Sequence, residues 1–266
     1  PFMQPHPGAL RIDWVASADS KHIAWTVTRS TTPGELTTIT YLADADGANQ
    51  RTLLTQTRTD MLRVLPVAFD HTQTRLYLDY QPDGVEGLTA YPQYAGLFTL
   101  ELTGDAEPQP LPGEPSDFTG AGFGGALFLR LALTPDLSGF DLRVYNLATG
   151  FDRVIPALTT RSAFTQAGDI LVAPDGKRAV YALSQISGFG TPQQSLLTVF
   201  VLVDLAQLTQ TNLLEVTRLV RPIAWTEDNS AIIFTSPQQA GTWKLQLAEA
   251  RLAKIAEPTY LGRLAQ

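Results

Sequence analysis

An all-β fold, a single β-propeller of five four-stranded blades, is what this sequence of 266 residues predicts. Three observations predict it: a turn motif that returns at an even spacing, an apolar run after every copy, and a length that matches five copies. The clearest copy is Val172-Ala173-Pro174-Asp175-Gly176-Lys177-Arg178-Ala179-Val180-Tyr181, two β-rich runs joined by a tight turn. Proline presets φ, aspartate bonds the following backbone, and glycine accepts positive φ. The frame returns at 225–234 and 17–25, more weakly at 69–78, and most faintly at 123–129.

With the Asp175 position as anchor, the copies fall at 19, 72, 123, 175 and 228, spaced by 51 to 53 residues. Downstream of each anchor runs an apolar triplet: Ile23-Ala24-Trp25, Leu76-Tyr77-Leu78, Leu127-Phe128-Leu129, Ala179-Val180-Tyr181 and Ile232-Ile233-Phe234. A strand apolar on both faces lies between two sheets, as the second strand of a blade must. Alternating third strands follow, as in Leu97-Phe98-Thr99-Leu100-Glu101-Leu102 and Trp243-Lys244-Leu245-Gln246-Leu247, and then a turn and a short outer strand. Blades are expected over 10–56, 61–112, 117–157, 163–216 and 219–258, with 1–9 as a leader and 259–266 as a closing segment of one domain. The alternative is six blades, the last incomplete.

Composition bounds function more than it defines it. A net charge of −7 and the absence of any basic run exclude a nucleic-acid footprint, which needs clustered Lys and Arg. Without cysteine there is no disulfide, thiolate metal site or cysteine nucleophile. The longest apolar stretch, near Leu196 to Val203, is far short of a membrane span. The opening Pro1-Phe2-Met3 fits a processed precursor or a trimmed chain alike, so membrane anchoring through a removed N-terminal segment stays open.

Pro174-Asp175-Gly176-Lys177, Ile223-Ala224-Trp225 and Asp44-Ala45-Asp46-Gly47-Ala48-Asn49-Gln50-Arg51 together resemble the TolB-like β-propeller repeat family. That family repeats an aromatic-Ser-Pro-Asp-Gly-Lys turn and an Asp-Gly-Ser/Ala-Asn-x-Arg outer turn. The resemblance implies an extracytoplasmic protein, periplasmic or at the cell surface, that binds partner proteins, uses no cofactor and catalyses nothing. TolB's propeller has six blades and follows an α/β domain, so its particular partners do not carry over.

Four patterns are candidates for chemistry. Asp44-Ala45-Asp46-Gly47 looks like part of a calcium loop, but Leu42 and Leu53 stand where oxygen ligands belong, so it reads as a turn and no metal is expected. Six residues before their anchors lie Asp13, Asp117 and Asp169, candidate channel-lining carboxylates on first strands. Converged, they would raise one another's pKa or hold a cation; otherwise each caps the start of its strand, with Arg63, Arg161 and Arg221 near enough to pair with them. A carbohydrate-cleaving propeller using these acids is the enzymatic alternative, whereas His6, His22 and His71 sit in no triad context. The long loops between second and third strands, Arg29–Glu35, Gln81–Tyr94 and Ile186–Ser195, carry Tyr91, Tyr94, Phe189 and Pro192. These are the candidate protein-binding residues, on the face that those loops share with the connections between blades.

Overall fold

The computed structural model describes residues 7–30, 32–82, 90–94, 96–103, 107–113, 118–159, 163–188 and 191–259. Among these residues twenty strands form five antiparallel sheets of four, the five blades of a β-propeller. Blade one is β1 (Arg11–Ala16), β2 (His22–Arg29), β3 (Leu36–Asp44) and β4 (Arg51–Arg58). Blade two is β5 (Leu62–Phe69), β6 (Arg75–Pro82), β7 (Leu97–Glu101) and the short β8 (Gln109–Pro110). Blade three holds β9 (Phe118–Gly124), β10 (Leu127–Leu133), β11 (Phe140–Asn146) and β12 (Phe151–Ile155). Blade four holds β13 (Gln166–Val172), β14 (Arg178–Ser187), β15 (Ser195–Asp204) and β16 (Thr209–Val216). Blade five holds β17 (Arg221–Trp225), β18 (Ala231–Ser236), β19 (Gln239–Gln246) and β20 (Arg251–Ala256). Within each sheet the strands pair in sequence order.

The repeated turn has one physical basis in four blades. A residue at positive φ, Ser20, Gln73, Gly176 or Asn229, follows the anchor directly. Its amide bonds the carbonyl three residues back, in Ser17, Asp70, Ala173 and Thr226, at 2.8 to 3.1 Å. Asp19, Asp175 and Asp228 each accept the amide two residues on, at 2.9 to 3.1 Å. In blade two Asp70 accepts the amides of Thr74 and Arg75 instead. Burial works to raise the Asp70 pKa, yet the Thr72 hydroxyl and these amides outweigh it and hold the carboxyl below its ordinary range.

Blade three departs from this pattern. Its anchor residue, Phe123, lies inside β9, and the first hairpin is a two-residue turn with Gly125 at positive φ. The six-residue turn appears one connection later, at Thr134-Pro135-Asp136-Leu137-Ser138-Gly139, between β10 and β11. β9 is also glycine-rich for a packing reason. A Cβ on Gly122 would stand 2.5 Å from Ile170 Cγ2, and one on Gly124 2.5 Å from Val172 Cβ, so β9 and β13 approach more closely than side chains on both would permit.

By contact the chain falls into two compact units. In the first, Ala24 and Leu42 of blade one share a core with Val64, Leu76, Leu78, Phe98, Leu100 and Leu102 of blade two. On the other face of blade one, Trp25 stacks on Tyr41 at 5.2 Å between ring centroids. The second unit contains blades three to five and residues 90–93. Leu129, Leu131, Leu142 and Val144 pack against Ala179, Tyr181, Val201 and Val203, while Val180, Ala182 and Phe200 pack against Trp225, Ile232 and Phe234. The middle strand β14 is thus apolar toward both neighbours, as its sequence predicts.

Candidate functional site

Two of the three expected carboxylates are committed to arginines. Asp13 Oδ2 accepts from Arg63 Nη1 at 2.6 Å, and Asp13 Oδ1 from Arg11 Nε at 2.9 Å. The Arg63 side chain is fully buried and donates through Nη2 to Gln81 Oε1 at 2.9 Å. Asp169 is gripped by both arms of Arg221, Nε to Oδ2 at 2.6 Å and Nη2 to Oδ1 at 2.8 Å. In each pair the aspartate stands on the first strand of one blade and the arginine on the first strand of the next, so the clamp recurs within each unit. Asp169 reaches its partner from a bulge in β13, at φ 51, a conformation aspartate tolerates better than most residues. Asp117 lies outside the described residues.

The expected partner-binding residues separate. Tyr91, expected to be an exposed loop aromatic, is instead buried at 1% exposure, which corrects that reading. Its hydroxyl meets Ser184 Oγ at 2.6 Å, and Ser184 in turn meets Thr198 Oγ1 at 3.0 Å; both hydroxyl residues are wholly buried. The Ala90 amide bonds Gln166 Oε1 at 2.5 Å, and the Tyr91 ring joins the core that blades four and five share. The space for it comes from Gly168, where a Cβ would lie well inside contact distance of the Tyr91 Cβ and 3.1 Å from its Cγ. Tyr94 is half-buried, Phe189 lies outside the described residues, and Pro192 is exposed in the β14–β15 loop. That loop is braced by Thr191, whose amide and hydroxyl both bond the Gly188 carbonyl, at 3.0 and 2.7 Å.

Burial pushes the Tyr91 phenol well above its ordinary pKa, against the opposing hydrogen bonds of Ser184 and Thr198. A phenol whose folded pKa is raised stabilises the fold below its unfolded pKa, and that stability is lost as pH climbs from about 10. Tyr91→Phe is therefore expected to cost about 1 kcal/mol at neutral pH, the worth of the buried hydrogen bond. Above about pH 10 the gap between variant and parent should narrow. Urea unfolding at several pH values checks this, and a gap that widens with pH contradicts it.

The turn Asp44–Gly47 behaves as a turn: Asp44 Oδ2 accepts from Asn49 Nδ2 at 2.6 Å and Asp46 Oδ1 from the Ala48 amide at 2.9 Å. Among the described residues no cluster of three or more His, Cys, Asp or Glu is arranged to hold a metal ion. No described helix is long and apolar enough to cross a membrane.

Two features of the loop end of the sheets had no signal in the sequence pattern. Leu133, which precedes the β10–β11 turn, and Leu137, within it, are 44% and 64% exposed. Leu197, Glu215, Val216, Thr217 and Arg218 line an open hollow of about 530 Å³ where β15 begins and β16 ends. A leucine in a turn motif and an arginine between strands look like any others until the backbone sets their exposure.

No protein-family model matches the sequence, and no curated protein sequence matches it. Solved structures do match in fold. A protein from Agrobacterium tumefaciens assigned as TolB superposes with a TM-score of 0.55 at 12% identity, over 92% of this chain and 80% of that one. The propeller domain of the Trilobed protease from Pyrococcus furiosus gives 0.56 at 8% identity, over 92% and 71%. A chain of a nidogen/laminin complex gives 0.56 at 11% identity, over 95% and 81%. The fold is that of a TolB-like β-propeller. At such identities the likeness speaks for architecture alone, since propellers host unrelated activities. What this TolB-like propeller does must be read from its own surface.

Proposed function

We propose that this TolB-like propeller is a non-catalytic protein-binding module of the exported or cell-surface type, docking protein partners through its long-loop face. The observation that carries the reading is Leu137. It is exposed at the tip of a turn that Thr134, Asp136 and Ser138 brace with hydrogen bonds, and it holds φ at 58. A leucine in that conformation costs about 1–2 kcal/mol that glycine would not. Single exposed leucines are ordinary, but one kept rigidly exposed at a conformational cost fits a contact residue. Leu133 beside it and Pro192 on the next blade extend the apolar surface at the same end of their sheets. The extracytoplasmic location rests on the TolB-like repeat.

The carbohydrate-cleaving alternative needs one carboxyl free to carry a proton and a second free to attack or to activate water. Asp13 and Asp169 are held by arginines, which favours binding over catalysis. The test uses a protein that co-purifies with the parent from its native source. Leu137→Gly and Leu133→Asp are expected to weaken its retention at least tenfold, about 1.4 kcal/mol, while Leu137→Gly leaves the melting temperature unchanged or higher. Full retention by both variants overturns the docking surface. A glycoside-hydrolysing activity lost in Asp169→Asn overturns the non-catalytic assignment.

A further inference from the structure

We propose that the hollow between β15 and β16 of blade four is a receptor for an acidic side chain carried by an extended partner segment, with Arg218 as the recognising group. This rests on the docking reading and names the chemistry of the partner. Arg218 stands in the link from β16 to β17, at the end of the sheet where the loops between second and third strands emerge. Its guanidinium carbon lies 5.9 Å from the centre of the Trp243 ring, which fixes the cation against an aromatic face. Among the described residues it has no carboxylate partner, in contrast to Arg63 and Arg221. The Arg218 Nε is buried and donates to nothing, and the Trp243 Nε1 is likewise buried without an acceptor. A buried donor left unsatisfied is costly, and an acceptor arriving at Arg218, which lines the hollow as Trp243 does not, recovers that cost.

The form of the hollow selects the kind of acceptor. Leu197 and Val216 give it apolar walls, Thr217 a hydroxyl, and Arg218 a planar fork of donors suited to a carboxylate. Its volume of about 530 Å³ is ample for one side chain and open to the surface. β16 is the outer edge of its sheet, paired only with β15, so an extended segment running along that free edge can lower a side chain into the hollow. Glu215 at the rim supplies the one opposing charge, and it gives the proposal a second lever: removing it strengthens binding of an anion.

The probe is an N-acetylated, C-amidated Thr-Val-Glu-Val-Thr peptide, titrated into the full chain at millimolar concentration while the Arg218 Nε–H and Trp243 indole resonances are followed by NMR. The Glu peptide is expected to shift both signals and its Gln counterpart to bind about tenfold more weakly. E215Q should tighten the Glu peptide, R218Q should abolish its effect, and R218K, which keeps the charge but loses the fork, should fall between. Unchanged thermal melting of R218Q and R218K excludes misfolding as the cause. Equal binding of the two peptides, binding that survives R218Q, or no shift at all would overturn the receptor. If the co-purifying protein is lost from Leu137→Gly but retained by R218Q, the docking face stands and this receptor falls. If the Glu peptide binds through Arg218 while the leucine variants keep their partner, the reverse holds.

Discussion

Replacing Arg63 by methionine is expected to lower the unfolding free energy by about 3–5 kcal/mol, the largest loss available from one side chain of the Asp–Arg clamps. Arg63 is fully buried between Asp13 and Gln81, so its removal takes from Asp13 the buried one of its two cations, leaving only the half-exposed Arg11, and takes a donor from the Gln81 amide oxygen. Stripping a mostly buried carboxylate of its buried cation costs more than the pair itself contributes, which makes the single deletion severe. Arg221 performs the same clamp on Asp169 with 40% of its side chain exposed, and water will replace much of what is lost there. Arg221→Met should accordingly cost only about 1 kcal/mol. Combining Arg63→Met with Asp13→Asn should recover part of the penalty, because the charge that has lost its buried partner is gone. Urea unfolding of the four proteins decides it. Equal penalties at the two arginines would show that burial does not set the scale.

Gly168→Ala is expected to destabilise the chain by about 1–3 kcal/mol through overpacking. The φ at Gly168 lies outside the left-handed region, so conformation alone would predict a gain of about 0.4–1 kcal/mol from stiffening the unfolded chain. Tyr91 reverses that sign. Its Cβ occupies the place where the new methyl would go, and the ring is locked by the Ser184–Thr198 hydroxyl chain and cannot retreat without giving up that hydrogen bond. The penalty should therefore vanish in a Tyr91→Gly background, where a melting-temperature cycle isolates the coupling. A Gly168→Ala loss of equal size in both backgrounds would mean that something other than Tyr91 fills the space.

These two residues mark the boundary between local and long-range information. The turns around Asp19, Asp175 and Asp228 were readable because their signals are local: the aspartate caps an amide two residues away, and the next residue takes positive φ. The apolar triplets were readable because a strand between two sheets needs apolar residues on both faces. Blade three was read most faintly because β9 spends its positions on glycine, a choice that makes sense only beside Ile170 and Val172 of the neighbouring blade. The candidate site was much less accessible. An aromatic in a long loop looks exposed in sequence, yet Tyr91 finds its hydroxyl partner 93 residues away.

From its own residues the chain determined an all-β repeat, the positions of its hairpin turns, and the absence of cysteine and basic-cluster chemistry. It also placed Arg63 and Arg221 near the level of Asp13 and Asp169, since equivalent positions in successive repeats come to equivalent heights. Tertiary structure alone decided that Tyr91 is core, that Arg63 is buried where Arg221 is half-open, and that Leu137 and Arg218 face outward. The physical reason is one of range. Turn chemistry and strand periodicity act over a few residues and leave their mark in the local pattern, whereas burial is set by whichever distant segment packs on top.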